Sequence, residues 1–190
     1  LAVCVLAVVA ACGWVVKSGI SMVVDAIETG NFSNIGNAPF KQGNGPPYVV
    51  AVDAGHGGQD LGAEGIYTEV NVTEATANAL ISLLEQDANY TAVRCRKSGE
   101  GMSVAGRAEA ASKAGAELFL SIHANYDETG TASGFECFPQ TASSETHEQS
   151  LRFAKLLAAH MQGAGASLRG EAGVRYAFYE DDGSGGYTKV

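Results

Sequence analysis

Three side chains able to hold a metal stand at places where an alternating chain would bring them together. His56 lies in Gly55-His56-Gly57-Gly58, directly after YVVAVDA (48–54), a continuous β-branched run of the kind found in strands buried on both faces. His123 closes a second run of this type, ELFLSIH (117–123), and Glu69 opens a helical pattern that follows the first run. In open α/β sheets ligands bind beyond the carboxyl ends of the strands, where the outgoing loops gather. Parallel strands would therefore deliver His56, Glu69 and His123 to one edge. Two imidazoles and one carboxylate leave a tetrahedral zinc with an open fourth position, the arrangement of a hydrolytic rather than a structural site. Gly55, Gly57 and Gly58 would let the backbone turn sharply and approach a substrate closely. Taken singly, His123 also reads as a satisfied core histidine and Glu69 as a helix-start carboxylate favoured by the dipole. Topology alone leaves these readings open beside the metal site. The glycine stretch matches neither GxGxxG nor GxxxxGK[ST], so it does not read as a phosphate cradle.

The elements that must position these residues alternate along the chain. A helix is expected from about Glu69 to Asp87, with Val72, Ala75, Ala79, Leu80, Leu83 and Leu84 as its apolar stripe. YTAVRCR (90–96) reads as the next strand, residues 104–114 as a helix, and GFECFPQ (134–140) as a short strand. Thr146 to Met161 reads as an amphipathic helix and VRYAFY (174–179) as a last strand. Alternation of this length predicts an α/β fold, with a largely parallel twisted sheet and helices on both faces.

Upstream of 48 the pattern differs. Leu1 to Val16 is an apolar run, LAVCVLAVVAACGWVV, short of the ~20 residues that cross a bilayer. It is expected to be an incomplete signal peptide or membrane anchor, placing the domain outside the cytoplasm, secreted or anchored at the cell envelope. Val9-Ala10-Ala11-Cys12 also fits a lipoprotein cleavage pattern, against which Trp14, Val15 and Val16 speak. Residues 17–47, rich in Asn, Gly and Pro towards their end, read as a linker, and 48–190 as the folded domain. The 190 residues carry a formal net charge of −9 and no Lys/Arg cluster, which argues against nucleic acid as a partner. Cys95 and Cys137 lack the spacing of a zinc site, and the sequence leaves open whether they pair or stay as buried thiols.

At these residues the sequence resembles the type-3 family of zinc-dependent N-acetylmuramoyl-L-alanine amidases, which cut bacterial peptidoglycan. The resemblance rests on VAVDAGHGGQDLGAEG (50–65), Glu69 before Val70-Asn71, Arg96, Arg107 before an Ala-rich helix, and ELFLSIHAN (117–125), in that order. It implies that His56, Glu69 and His123 bind zinc, and that the amide between the lactyl group of N-acetylmuramic acid and L-alanine is hydrolysed. Arg96 and Arg107 match family positions and are read as structural supports. Leu168-Arg169-Gly170 resembles a further segment, loosened by Glu171 and Ala172 before Gly173.

One departure is marked. The family resemblance calls for a general-base glutamate on a strand near the domain's carboxyl end, and that segment is expected beyond Val190, so the domain is read as lacking its C-terminal part. Glu136 on a short strand, Glu171 in a loop and Glu180 in the acidic turn EDDGSGG (180–186) are not assigned the role. Besides an active amidase, the sequence allows an amidase-like module that binds or regulates peptidoglycan without cutting it, and a zinc peptidase that trims stem peptides.

Overall fold

The computed structural model describes residues 5–11, 45–125, 133–142, 144–170, 172–176, 179–181 and 187–189. Seven strands are placed: β1 (Val5–Ala11), β2 (Tyr48–Ala54), β3 (Tyr90–Arg94), β4 (Leu118–Asn125), β5 (Glu136–Pro139), β6 (Tyr179–Asp181) and β7 (Tyr187–Lys189). Among the described residues three helices join them: α1 (Glu69–Leu84), α2 (Val104–Lys113) and α3 (His147–Gly163). Five strands form one sheet in the order β3-β2-β4-β1-β5, and β6 and β7 make a separate antiparallel pair. β2 runs parallel to β3 and to β4, β1 runs antiparallel to β4, and β5 runs parallel to β1. This is an α/β fold in which β3, β2 and β4 form a parallel block and β1 and β5 run in the opposite direction beside it.

Side-chain alternation along the strands divides the core. Val50, Val52, Ala54, Leu120 and Ile122 pack against Ala77 of α1 and Ala154 and Ala158 of α3. Ala51, on the opposite face of β2, packs with Cys95 and with Ala111 of α2, against Phe119. The sheet is thus covered on both faces, which is why β2 reads as an unbroken apolar run. Ser103 caps α2, accepting the N–H of Gly106 at 3.1 Å.

Three expectations are corrected. The inward stripe of α1 is Glu69, Thr73 and Ala77, continued by Leu80, Ile81 and Leu84, while Leu83 is 65% exposed. The stripe is rotated because two polar residues, Glu69 and Thr73, turn inward to serve the site, and an apolar pattern cannot register them. The strand expected over 174–179 is not continuous: Val174 makes a single parallel bridge to Cys137, residues 177–178 lie outside the described ones, and a strand starts at Tyr179. Glu180 accordingly stands in β6, opposite Thr188, rather than in a turn. Cys95 and Cys137 are free and buried, and burial pushes both thiols up to about 12.

Of the apolar run 1–16, Val5–Ala11 is placed as β1, between β4 and β5. A run of Val, Leu and Ala without a polar side suits a strand flanked on both sides as well as it suits a membrane. Among the described residues no helix is long and apolar enough to cross a membrane. The linker expected over 17–47 lies outside the described residues as far as 44.

Candidate metal site

The carboxyl ends of β2 and β4 lie side by side, with Ala54 opposite Ile122. His56 and His123 therefore emerge at one edge, and Glu69 reaches it from the first residue of α1. Three N–H groups near the start of α1 find backbone partners: Glu69 N donates to Ala63 O at 2.8 Å, Val70 N to Leu61 O at 3.1 Å and Asn71 N to Thr68 O at 3.0 Å. The first two of these bonds tie the 61–63 loop to the helix and so fix Glu69 against the sheet edge.

The three side chains converge with donor atoms facing. His56 Nε2 is 3.0 Å from Glu69 Oε1, His123 Nδ1 is 3.0 Å from the same oxygen, and the two ring nitrogens are 3.2 Å apart. The rings stand edge to face at 81°, with centroids 4.9 Å apart. Ligand atoms around tetrahedral zinc are roughly 3.3–3.6 Å from one another, given metal–ligand distances of ~2.0–2.2 Å. A spreading of a few tenths of an ångström fits the ion, so the donor set and its spacing suit zinc. His56 and His123 keep 20% and 25% of their side-chain surface exposed, which leaves the site open on one side.

Both oxygens of Glu69 are also bonded to backbone: Oε1 accepts from Ala124 N at 2.8 Å and Oε2 from Ala63 N at 2.9 Å. Burial pushes the Glu69 carboxyl upward, but the His123 hydrogen bond, these two N–H groups and the nearby His56 outweigh it and hold the group at about 2. Glu69 is thus an anion over the whole working range.

Asp60, four residues after His56, accepts from His56 Nδ1 at 3.0 Å and from Gly62 N at 3.1 Å. The His56 hydrogen bond, followed by that of Gly62, lowers the Asp60 carboxyl below its ordinary value. With Nδ1–H engaged in this way, Nε2 of His56 keeps its lone pair for a metal. Asp60 was not singled out from the sequence, although the spacing His56-x-x-x-Asp60 was there to read. Replacing it with Asn is expected to lower zinc affinity by about 10- to 100-fold, measured by competition with a chelator.

The loop beneath is gripped from below. Arg96, whose side chain has no exposed surface, donates from Nε to Ala54 O at 2.9 Å and lies 3.4 Å from Gly55 O through Nη2. Its Nη1 reaches Lys97 O at 3.2 Å and Glu100 O at 3.3 Å, and pairs with Glu74 Oε2 at 2.9 Å. Thr73 Oγ1 donates to Gly55 O at 2.8 Å. Gly55 is thereby pressed on the His123 ring: a Cβ there would lie 2.4 Å from Cε1. A Gly55→Ala chain should therefore displace the ring and lose zinc affinity by about tenfold or more, seen in the same chelator competition. His56 itself sits at φ 64°, a left-handed conformation that costs a residue with a Cβ about 1 kcal/mol and is held by these contacts. Arg107 is 3.2 Å from Asp53 Oδ2, which also accepts from Ser121 Oγ at 2.7 Å, forming a buried polar cluster on the α2 face.

Glu136 is fully buried and bonded to Arg175 Nη1 at 2.8 Å. Glu171 lies outside the described residues, and of Glu180 only the backbone is described.

An open α/β sheet with a His/Glu/His cluster at its carboxyl edge defines a candidate metal-dependent hydrolase. The comparisons make this specific. The family model described as N-acetylmuramoyl-L-alanine amidase, Amidase_3, matches residues 50–179, and the chain belongs to that family. The catalytic domain of CwlV, an N-acetylmuramoyl-L-alanine amidase from Bacillus (Paenibacillus) polymyxa var. colistinus, superposes with a TM-score of 0.59 at 31% identity, over 68% of this chain and 69% of that one. The amidase AmiC2 of Nostoc punctiforme gives a TM-score of 0.57 at 26% identity, over 70% of this chain and 71% of that one. AmiC of Escherichia coli is 31% identical over 147 residues, 76% of this chain and 35% of that protein. The chain spans 41%, 19% and 35% of the length of its Buchnera aphidicola, Haemophilus influenzae and Escherichia coli relatives.

Proposed function

We propose that this chain is the catalytic part of a zinc-dependent amidase that hydrolyses the bond between N-acetylmuramic acid and L-alanine in bacterial peptidoglycan. The observation that carries the reading is the convergence of one ligand atom each from His56, Glu69 and His123 within 4.8 Å of one another, at the carboxyl edge of the sheet. Zinc, when bound by these residues, supplies a Lewis acid for the scissile carbonyl and a water of lowered pKa. The chain supplies the rest: Asp60 orients His56, Glu69 brings a fixed negative charge, and the open side of the site admits the substrate. Glu136 is bonded to Arg175 at 2.8 Å, so the role of general base is not assigned to it. Digesting peptidoglycan with the natural full-length protein should release new L-alanine amino termini without new reducing sugar ends. New reducing ends would overturn the reading, and free D-amino acid would favour a stem-peptide peptidase.

We also propose that residues 1–16 serve as an export signal or anchor that brings the domain to the cell envelope, a reading carried by their composition. This use and the β1 pairing of Val5–Ala11 exclude one another within one molecule. Sequencing the N-terminus of the secreted protein separates them: a start after Ala11 supports export and cleavage, whereas an intact run in a folded, unanchored domain supports the strand.

A further inference from the structure

Glu136 shares the sheet edge of the metal site. Ala7 of β1 pairs with His123 on one side and with Glu136 on the other. With β1 in the sheet, as in this structure, His123 and Glu136 lie in register on the same face, two strand spacings or roughly 10 Å apart. The residues flanking Glu136 clamp two arginines beside it: Phe135 O accepts from Arg169 N at 2.9 Å, and Cys137 O accepts from Arg175 N at 2.8 Å. Both guanidinium groups turn to the one carboxylate, Arg175 at 2.8 Å from Oε2 and Arg169 at 3.6 Å from Oε1. Arg175 also lies over the Phe138 ring, 5.9 Å from its centroid. At Gly170, with φ 64°, a Cβ would come within 2.4 Å of the Arg175 stem, so the arginine is accommodated by the absence of a side chain there.

Among the described residues, two arginines face the one Glu136 carboxylate, in a chain whose net charge is −9. A single arginine would satisfy buried Glu136. The second stands beyond ordinary hydrogen-bond distance from it, and the two side chains remain 26% and 39% exposed. Their other guanidinium N–H groups have no side-chain partner among the described residues. Forked donors held in place in this way suit a carboxylate.

We propose that Arg169 and Arg175, gathered on buried Glu136, form an anion subsite that binds a carboxylate of the substrate's stem peptide. At ~3.3–3.6 Å per extended residue, the separation from the metal site corresponds to about three residues beyond the scissile amide. The inference rests on the peptidoglycan reading above. It is tested on the zinc-loaded natural full-length protein by calorimetric titration with a free L-alanyl stem tripeptide, its carboxylates either ionised or amidated. This peptide contains no bond to N-acetylmuramic acid, so binding is read whether or not the protein is an amidase. The acid peptide should bind about tenfold more tightly than the amidated one, a preference that Arg175→Gln and Arg169→Gln each remove while the amidated peptide binds as before. Arg169→Gln guards against misfolding, since its bond to Glu136 is the longer. Equal binding of both peptides by the wild type, or variants that weaken both alike, would overturn the subsite. Hydrolysis of intact muropeptide, measured in parallel, reports on the amidase reading separately: its absence with the preference intact refutes the reaction and leaves the subsite standing.

Discussion

On the proposed zinc reading, bound zinc should fall to background after gel filtration in His123→Ala protein, and equally in His56→Ala, and amide cleavage should fall with it. Three ligand atoms at mutual distances of 3.0, 3.0 and 3.2 Å are the fewest that hold a catalytic zinc. Loss of an outer hydrogen bond to a ligand already costs about 10- to 100-fold in affinity, so loss of a ligand itself should cost at least ~100-fold. The fold should survive, because each histidine side chain is already a fifth to a quarter exposed and neither belongs to the packed core. A melting temperature close to wild type beside empty zinc would place the defect at the site. Metal analysis showing one zinc per chain in either variant would remove that residue from the ligand set. Glu69→Ala is expected to differ, since water can replace a carboxylate ligand, but it also leaves the N–H groups of Ala63 and Ala124 without their acceptor.

The central strands and the three metal-competent residues were legible in the sequence for one physical reason. A parallel strand buried on both faces is a continuous apolar run, and its carboxyl end is where outgoing loops must gather; Tyr48–Ala54 fits the expected bounds to the residue. What stayed hidden depended on polar residues that act through neighbours. Thr73 is wholly buried yet reads as a break in an apolar stripe, because its hydroxyl reaches Gly55 O across 18 positions of chain. Asp60 is exposed and ordinary in composition, and only its reach back to His56 Nδ1 gives it a role. The arginines around Glu136 come from a segment bridged to β5, a pairing that hydrophobic periodicity cannot show. The use of Val5–Ala11 in the sheet was not legible either, since apolar runs for strands and for membranes share one composition.

Arg96→Ala should be the most destabilising single change near the site. The side chain has no exposed surface and meets four carbonyls from two loops, Ala54, Gly55, Lys97 and Glu100, together with the Glu74 carboxylate. Truncation leaves those buried acceptors unpaired at ~1–3 kcal/mol each where water cannot replace the donor, and removes one of two cations beside Glu74. Breaking a buried pair by deleting one partner costs about 3–5 kcal/mol. For a chain of this size that corresponds to a fall in melting temperature of roughly 6–20 °C. Arg96→Lys retains the charge but lacks the fork that spans two loops, so it should recover part of the melting temperature while zinc affinity stays low, because Gly55 is no longer held on the His123 ring. Wild-type zinc affinity in Arg96→Lys would show that Thr73 alone fixes Gly55, and an unchanged melting temperature in Arg96→Ala would show that water meets the carbonyls instead.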